Sequence, residues 1–143
     1  MMMVNHLEYA VTSRLESVSG GNMNKISTME VIERFNDAFN RHDVEGVMSA
    51  MTADCIFENT SPSPDGERYE GQEAVRGFWE RFFESSPKAV FETEDIFVSD
   101  DRCTVRWRYS WEEQSGKRGH VRGVDVFRVR DGKVAEKLSY VKG

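Results

Sequence analysis

The apolar residues of this chain change their spacing once, near residue 89, and that switch limits the fold more than any other feature of the sequence. Upstream, Val31, Ile32, Phe35, Ala38 and Phe39 recur at helical intervals, and Val75, Phe78, Trp79, Phe82 and Phe83 repeat the pattern as an aromatic stripe. From Ala89 onward the period is two, which predicts strands at 89–98, 102–113, 118–130 and 133–142. Turn signals at Asp100-Asp101, Ser115-Gly116 and Asp131-Gly132 separate them. Helices first and hairpins afterward, with no long crossover among the later strands, argue for a segregated α+β fold built on an antiparallel meander.

Local signals place the ends of the helices. Ser27-Thr-Met-Glu30 has the form of a capping box, so the first helix is expected to start there and to end near Asn40-Arg41-His42. Asp43 can cap a second, shorter helix carrying Val44, Val47, Met48 and Met51. A strand is expected over Cys55–Asn59, then an exposed loop at Ser61-Pro-Ser-Pro-Asp-Gly66. The aromatic helix begins after Gly71 and stops before Ser85-Ser86-Pro87. Residues 1–26 differ in character, with sparse apolar positions at Leu7, Val11, Leu15 and Val18 and a breaker cluster at Ser19-Gly20-Gly21-Asn22. They read as an extension, flexible or a short helix, ahead of one domain over 27–143.

A chain of 143 residues suits a single core. The formal charge of −6 disfavours nucleic acid as a partner, because phosphate binding needs concentrated Lys and Arg. No long apolar run or leader pattern is present, so a cytoplasmic protein is expected. Cys55 and Cys103 fall in predicted strands without metal-ligand spacing, which reads as buried free thiols, with no zinc, other metal or cofactor expected. His42 and His120 have no carboxylate or nucleophile at motif spacing, and His6 lies in the extension.

If Ser115-Gly116 is a two-residue hairpin turn, Ser110 pairs with Val121, Arg108 with Gly123 and Arg106 with Asp125. Trp107, Tyr109, Trp111, Val124 and Val126 then share the other face, an apolar patch that needs a cover. A two-fold homodimer through this face is expected. The alternative is that helices cover it and the Arg/Asp face meets solvent. The last hairpin has two registers: a bulge puts Ser139 beside Asp125, and a plain two-residue turn puts Tyr140 there.

Helix 1 running into Asn40-Arg41-His42-Asp43, then Ala53-Asp54-Cys55-Ile56-Phe57, then Tyr69-Glu70-Gly71 before the aromatic helix, form an ordered set of strings. With the ending Val124-Asp-Val-Phe-Arg-Val-Arg-Asp-Gly-Lys-Val134 and Tyr140, they resemble the nuclear transport factor 2-like superfamily over residues 28–143, particularly its SnoaL-like and ketosteroid isomerase-like branches. The resemblance implies a cystatin-like cone of three helices packed on a curved, mostly antiparallel sheet, and it favours the bulged last hairpin. It also implies a pocket lined by Phe35, Phe39, Phe57, Asn59, Phe78, Trp79, Phe82, Arg108, Val121, Asp125 and Phe127, in which Phe35, Phe39 and Phe82 could equally be solid core.

The expected function is binding of a largely apolar small molecule with a polar or acidic group, the activity being unassigned. Ketosteroid isomerases place a carboxylate base, a tyrosine and a neutral carboxylic acid where this chain has Asn59, Phe35 and Asp125, so two of the three roles are empty. Limonene epoxide hydrolase-like members would match at Arg108, but Ser110 and Ser139 stand where their carboxylates would be. The alternative that remains is a polyketide cyclase, isomerase or lyase-type enzyme using Asp125 as acid or base in a pocket closed by Trp79 and the Pro62/Pro64 loop. The conservative view has Asp125 held ionised by Arg106 or Arg108.

Overall fold

The computed structural model describes residues 26–143, and the expected extension lies, except for Ile26, outside the described residues. Three helices, α1 (Thr28–Asn40), α2 (Val44–Ser49) and α3 (Gln72–Ser85), pack against one sheet. Its strands are β1 (Met51–Glu58), β2 (Arg68–Glu70), β3 (Val90–Ser99), β4 (Arg102–Glu112), β5 (Arg118–Arg130) and β6 (Lys133–Val141), in the order β2-β1-β6-β5-β4-β3. All neighbours are antiparallel except β1 and β6, which run parallel. The curled sheet and its three helices make the α+β cone expected from the sequence. The short β2, which fastens to β1 through Phe57 and Tyr69, was not anticipated.

The helices start where the sequence signals stand. Ser27 Oγ accepts from the Glu30 backbone N–H at 3.2 Å and completes the capping box, and Asp43 accepts from Gly46 N–H at 3.0 Å to open α2. Gln72 Nε2 lies 3.0–3.1 Å from the carbonyl oxygens of Met48, Met51 and Thr52, tying the start of α3 to the α2–β1 junction. The stripes of α1 and α3 meet above the sheet, where Phe39 stands edge-on to Trp79 and to Phe83, each at 5.0 Å. No helix among the described residues is long and apolar enough to cross a membrane.

The β4–β5 register differs from the expected one by a single residue. Trp107 pairs with Gly123, Tyr109 with Val121 and Trp111 with Gly119, across a five-residue loop of Glu113–Lys117. Arg108 pairs with Arg122 in place of Gly123, and Asp125 pairs with Val105 in place of Arg106. The reason is steric. A Cβ on Gly119 would meet Trp111 at 2.5 Å, and one on Gly123 would meet Trp107 at 2.6 Å, so each indole lies over a glycine. Directly paired residues point to the same side, and a one-residue slip moves a whole strand's side chains to the other face.

The expected apolar face is therefore divided. Trp107 and Tyr109 face the helices, where Tyr109 touches Phe82 at 6.1 Å and stacks on Phe91 at 4.5 Å, and Trp111 lies 5.4 Å from Tyr109 on that side. Val124 and Val126 face outward with Arg106 and Arg108. The set Trp107, Tyr109, Trp111, Val124 and Val126 does not form one surface.

In the last hairpin Asp131 and Gly132 form a two-residue turn, with φ of 54° and 73°. The bulge lies beyond it, where pairing shifts between Arg128 and Val129 and β6 accommodates one extra residue. Ser139 accordingly pairs with Asp125, as the bulged register requires.

Candidate functional site

Asp125 sits at the middle of β5 and points under the helices, with only 6% of its surface exposed. Its partner is not an arginine. Lys137 of β6, 7% exposed, places Nζ 3.2 Å from Asp125 Oδ2, and Ser139 donates to Asp125 Oδ1 at 2.6 Å. Lys137 Nζ also donates to Ser139 Oγ at 3.0 Å, closing a three-membered polar cluster. Arg106 and Arg108 stand on the opposite face of the sheet, so the expected ion pair with Asp125 is replaced by one from the next strand.

Aromatic rings surround the ammonium group. Its nitrogen lies 4.9 Å from the centre of Phe57, 5.4 Å from Trp79 and 5.9 Å from Phe39. The parallel pairing of β1 with β6 sets Phe57 beside Lys137. Trp79 arrives from α3 and Phe39 from α1. A buried ion pair is thereby held among aromatic rings.

A cavity of about 30 Å³ opens onto this cluster. Its walls are Phe35, Asn36, Phe39 and Asn40 of α1, Phe91 and Thr93 of β3, Val105 and Trp107 of β4, and Asp125 and Lys137. Asn36 Nδ2 and Trp107 Nε1 are buried in the protein without a protein partner, as is Trp79 Nε1. The cavity is thus walled by two residues that each carry an unpartnered buried N–H donor, together with a carboxylate and an amine. A donor pair of this kind suits a carbonyl, carboxylate or hydroxyl oxygen, and the carboxylate suits a proton.

Larger hollows lie elsewhere, and two of them border the β4–β5 hairpin. One of about 620 Å³ runs between Ser85–Ala89 and the β4–β5 hairpin, with Tyr109 and Trp111 in its wall. Tyr109, in the wall of this hollow, stacks on Phe91, a wall of the inner cavity. The other, about 520 Å³, is on the outer face of the sheet. The buried polar groups Asp125 and Lys137 line the inner cavity and neither of these hollows.

Of the residues expected in a pocket, Phe35, Phe39 and Asp125 line this cavity, and Phe57 and Trp79 cage the lysine. Phe127 lies 5.6 Å from Phe35 as solid core. Phe78 packs on Phe57 and Trp79 at 4.9 Å from each. Phe82 stands beside Phe39, and Val121 beside Tyr109 on the helix-facing side. Asn59 is not a wall, since its Oδ1 accepts from Thr60 N–H at 2.8 Å in the loop after β1. Arg108 is displaced to the outer face by the register.

Lys137, Asn36 and Trp107 were not foreseen as inner-site residues. For Asn36 and Asn40 the signal was available, because each follows a stripe phenylalanine and the two stand one helical turn apart. For Lys137 the signal lay in the bulged register, which turns Ser139 and, two residues away, Lys137 to the face of Asp125.

Cys55 and Cys103 are buried free thiols, as expected. Burial, helped by the Asp125 and Glu33 carboxylates, pushes the Cys103 thiol up to about 12, which leaves it without nucleophilic character. His42 stacks on Phe83 at 4.6 Å and lies 3.4 Å from Ala89 O, a packing role. Among the described residues no group of His, Cys, Asp or Glu is arranged to hold a metal ion.

The family model of the SnoaL-like domain matches residues 32–137. Among solved structures, the chain is similar to an NTF2-like protein of unknown function from Mesorhizobium loti, at 40% identity and a TM-score of 0.70, covering 81% of this chain and 91% of that one. A candidate SnoaL-like polyketide cyclase from Jannaschia sp. CCS1 is 21% identical, with a TM-score of 0.69 over 80% of this chain and 85% of that one. TerC, co-crystallised with polyporic acid, is 18% identical with a TM-score of 0.69, covering 80% and 91%. No curated protein matches the chain.

Proposed function

The chain belongs to the SnoaL-like domain family, and from that premise we propose that its inner cavity, which at about 30 Å³ has room for about one water, widens toward the Tyr109/Trp111 hollow to bind a compact, largely apolar small molecule through an oxygen that accepts hydrogen bonds. The supporting observation is the pair of buried, unpartnered donors, Asn36 Nδ2 and Trp107 Nε1, in the walls of one cavity. A buried donor left unpaired costs about 1–3 kcal/mol, so a ligand oxygen that satisfies both recovers that loss. Entry from the Tyr109/Trp111 hollow requires only that the Phe91–Tyr109 ring pair part. Asp125 lines the same cavity, which supports proton transfer to or from the ligand as the second reading.

A thermal-shift panel of cyclohexanone, phenol and benzoate tests the first reading, because only binding to the folded state raises the melting temperature. Cyclohexanone is expected to stabilise the wild type, and Trp107→Phe, which keeps a ring and removes the donor, is expected to lose most of the shift. A panel that shifts neither protein would sink the proposal. For the second reading, Asp125→Asn should keep the shift and lose any turnover.

The protein is also proposed to form a two-fold homodimer, through the outer face of the sheet. Val124 and Val126 lie there, and Tyr140 and Val141 are 55% and 42% exposed beside the Glu94–Arg122 ion pair. Apolar groups framed by both signs of charge can complement a second copy of themselves.

A further inference from the structure

The binding reading employs the N–H donors of the cavity and leaves its amine without a task. Lysine is almost never buried to the extent of Lys137, and a buried ion pair contributes less to stability than well-packed apolar residues of equal volume. Three features go beyond what a structural pair needs. Lys137 is itself a wall of the cavity, a carboxylate lies 3.2 Å from its nitrogen, and three aromatic rings keep that nitrogen from water. An amine 3.2 Å from a proton acceptor in apolar surroundings is placed to act as a nucleophile once that acceptor takes its proton.

We propose that Lys137 condenses with the carbonyl carbon of a small aldehyde or ketone bound in this cavity and forms an imine, a proposal that rests on the cavity being the binding site described above. Asp125 takes a proton from the ammonium across the 3.2 Å contact. The freed lone pair forms the C–N bond, and the π electrons of the carbonyl move to its oxygen, where the N–H groups of Asn36 and Trp107 stabilise the charge. A proton then passes from nitrogen to that oxygen. Asp125 returns its own proton as the C–O bond breaks, one water leaves, and the protonated imine remains beside the regenerated carboxylate. Atoms and charge balance, with nothing oxidised or reduced. The cavity of about 30 Å³ has room for about one water, so the carbonyl compound is admitted only as the Phe91–Tyr109 ring pair parts, which favours small ones.

The test is reductive trapping on the native full-length protein. Limiting propanal and sodium cyanoborohydride are added near neutral pH, where the hydride donor reduces an imine to a stable secondary amine. Peptide mapping then follows the rate of propylation at each lysine. Lys88, 71% exposed, serves as the internal reference. Lys137 is expected to be modified at least about tenfold faster than Lys88, a margin set below the roughly 10²–10⁴-fold that a positioned acid or base supplies, and to lose that lead in Asp125→Asn or after denaturation. Slower modification of Lys137 than of Lys88 in the native wild type overturns the proposal, whether or not the variant folds. Cyclohexanone thermal shifts run in parallel separate the two readings. A shift without labelling of Lys137 removes the imine and leaves the binding site, and the absence of both removes both.

Discussion

Asp125 and Lys137 carry opposite charges into the least hydrated part of the molecule, and each depends on the other for being there. Removing one partner of a buried pair is costly because the remaining charge has neither water nor counter-ion. Lys137→Met, which keeps the apolar stem, is therefore expected to lower unfolding stability by about 3–5 kcal/mol, and the double variant with Asp125→Asn to recover part of that loss. Denaturant unfolding of the three variants measures both quantities; a cost for Lys137→Met below about 1 kcal/mol, the range of an exposed pair, would show that the pair is solvated. At this scale the sequence made Asp125 legible as an unusual carboxylate in an apolar strand. Its partner was missed, since Arg106 and Arg108 are nearer in the expected hairpin and Lys137 reaches it only through β6.

The β4–β5 hairpin shows how one residue of register reassigns an entire element. Trp107 and Trp111 are four apart, as are Gly119 and Gly123, and the observed register lays each indole over a glycine. That match could have been found in the sequence. It was passed over because Ser115-Gly116 supplies a plausible tight turn, and the longer loop over Glu113–Lys117 wins only once the indoles need room. Gly123→Ala is expected to destabilise the protein by about 1–3 kcal/mol, the usual cost of overpacking. The added Cβ would stand 2.2 Å from the Tyr140 carbonyl oxygen as well as 2.6 Å from Trp107, and backbone cannot swing aside. A midpoint unchanged in denaturant would contradict the tight contact. The capping box, Asp43 and Gly71 were legible in the sequence, because each acts within one turn of chain.

For the whole molecule, the consequence of that register is a different outer face. With Trp107 and Tyr109 turned to the helices, self-association falls to the surface bearing Val124, Val126 and Tyr140. Sedimentation is expected to show a dimer for the wild type and a monomer for Tyr140→Glu, whose charge would be desolvated in a two-fold contact. A wild-type monomer at the concentrations of a stable interface, or a dimer unaffected by this change, would remove that face from the proposal. The sequence by itself determined the α+β class, the three helices, the four long strands and the aromatic stripes of α1 and α3. Those follow from periodicity and from caps and turns that act over a few residues. The partner of Asp125, the cavity over it, the parallel β1–β6 pairing and the face exposed to a partner were decided by tertiary structure. They depend on how strands distant in the chain register against one another, and a side chain on a strand changes faces with every single-residue step.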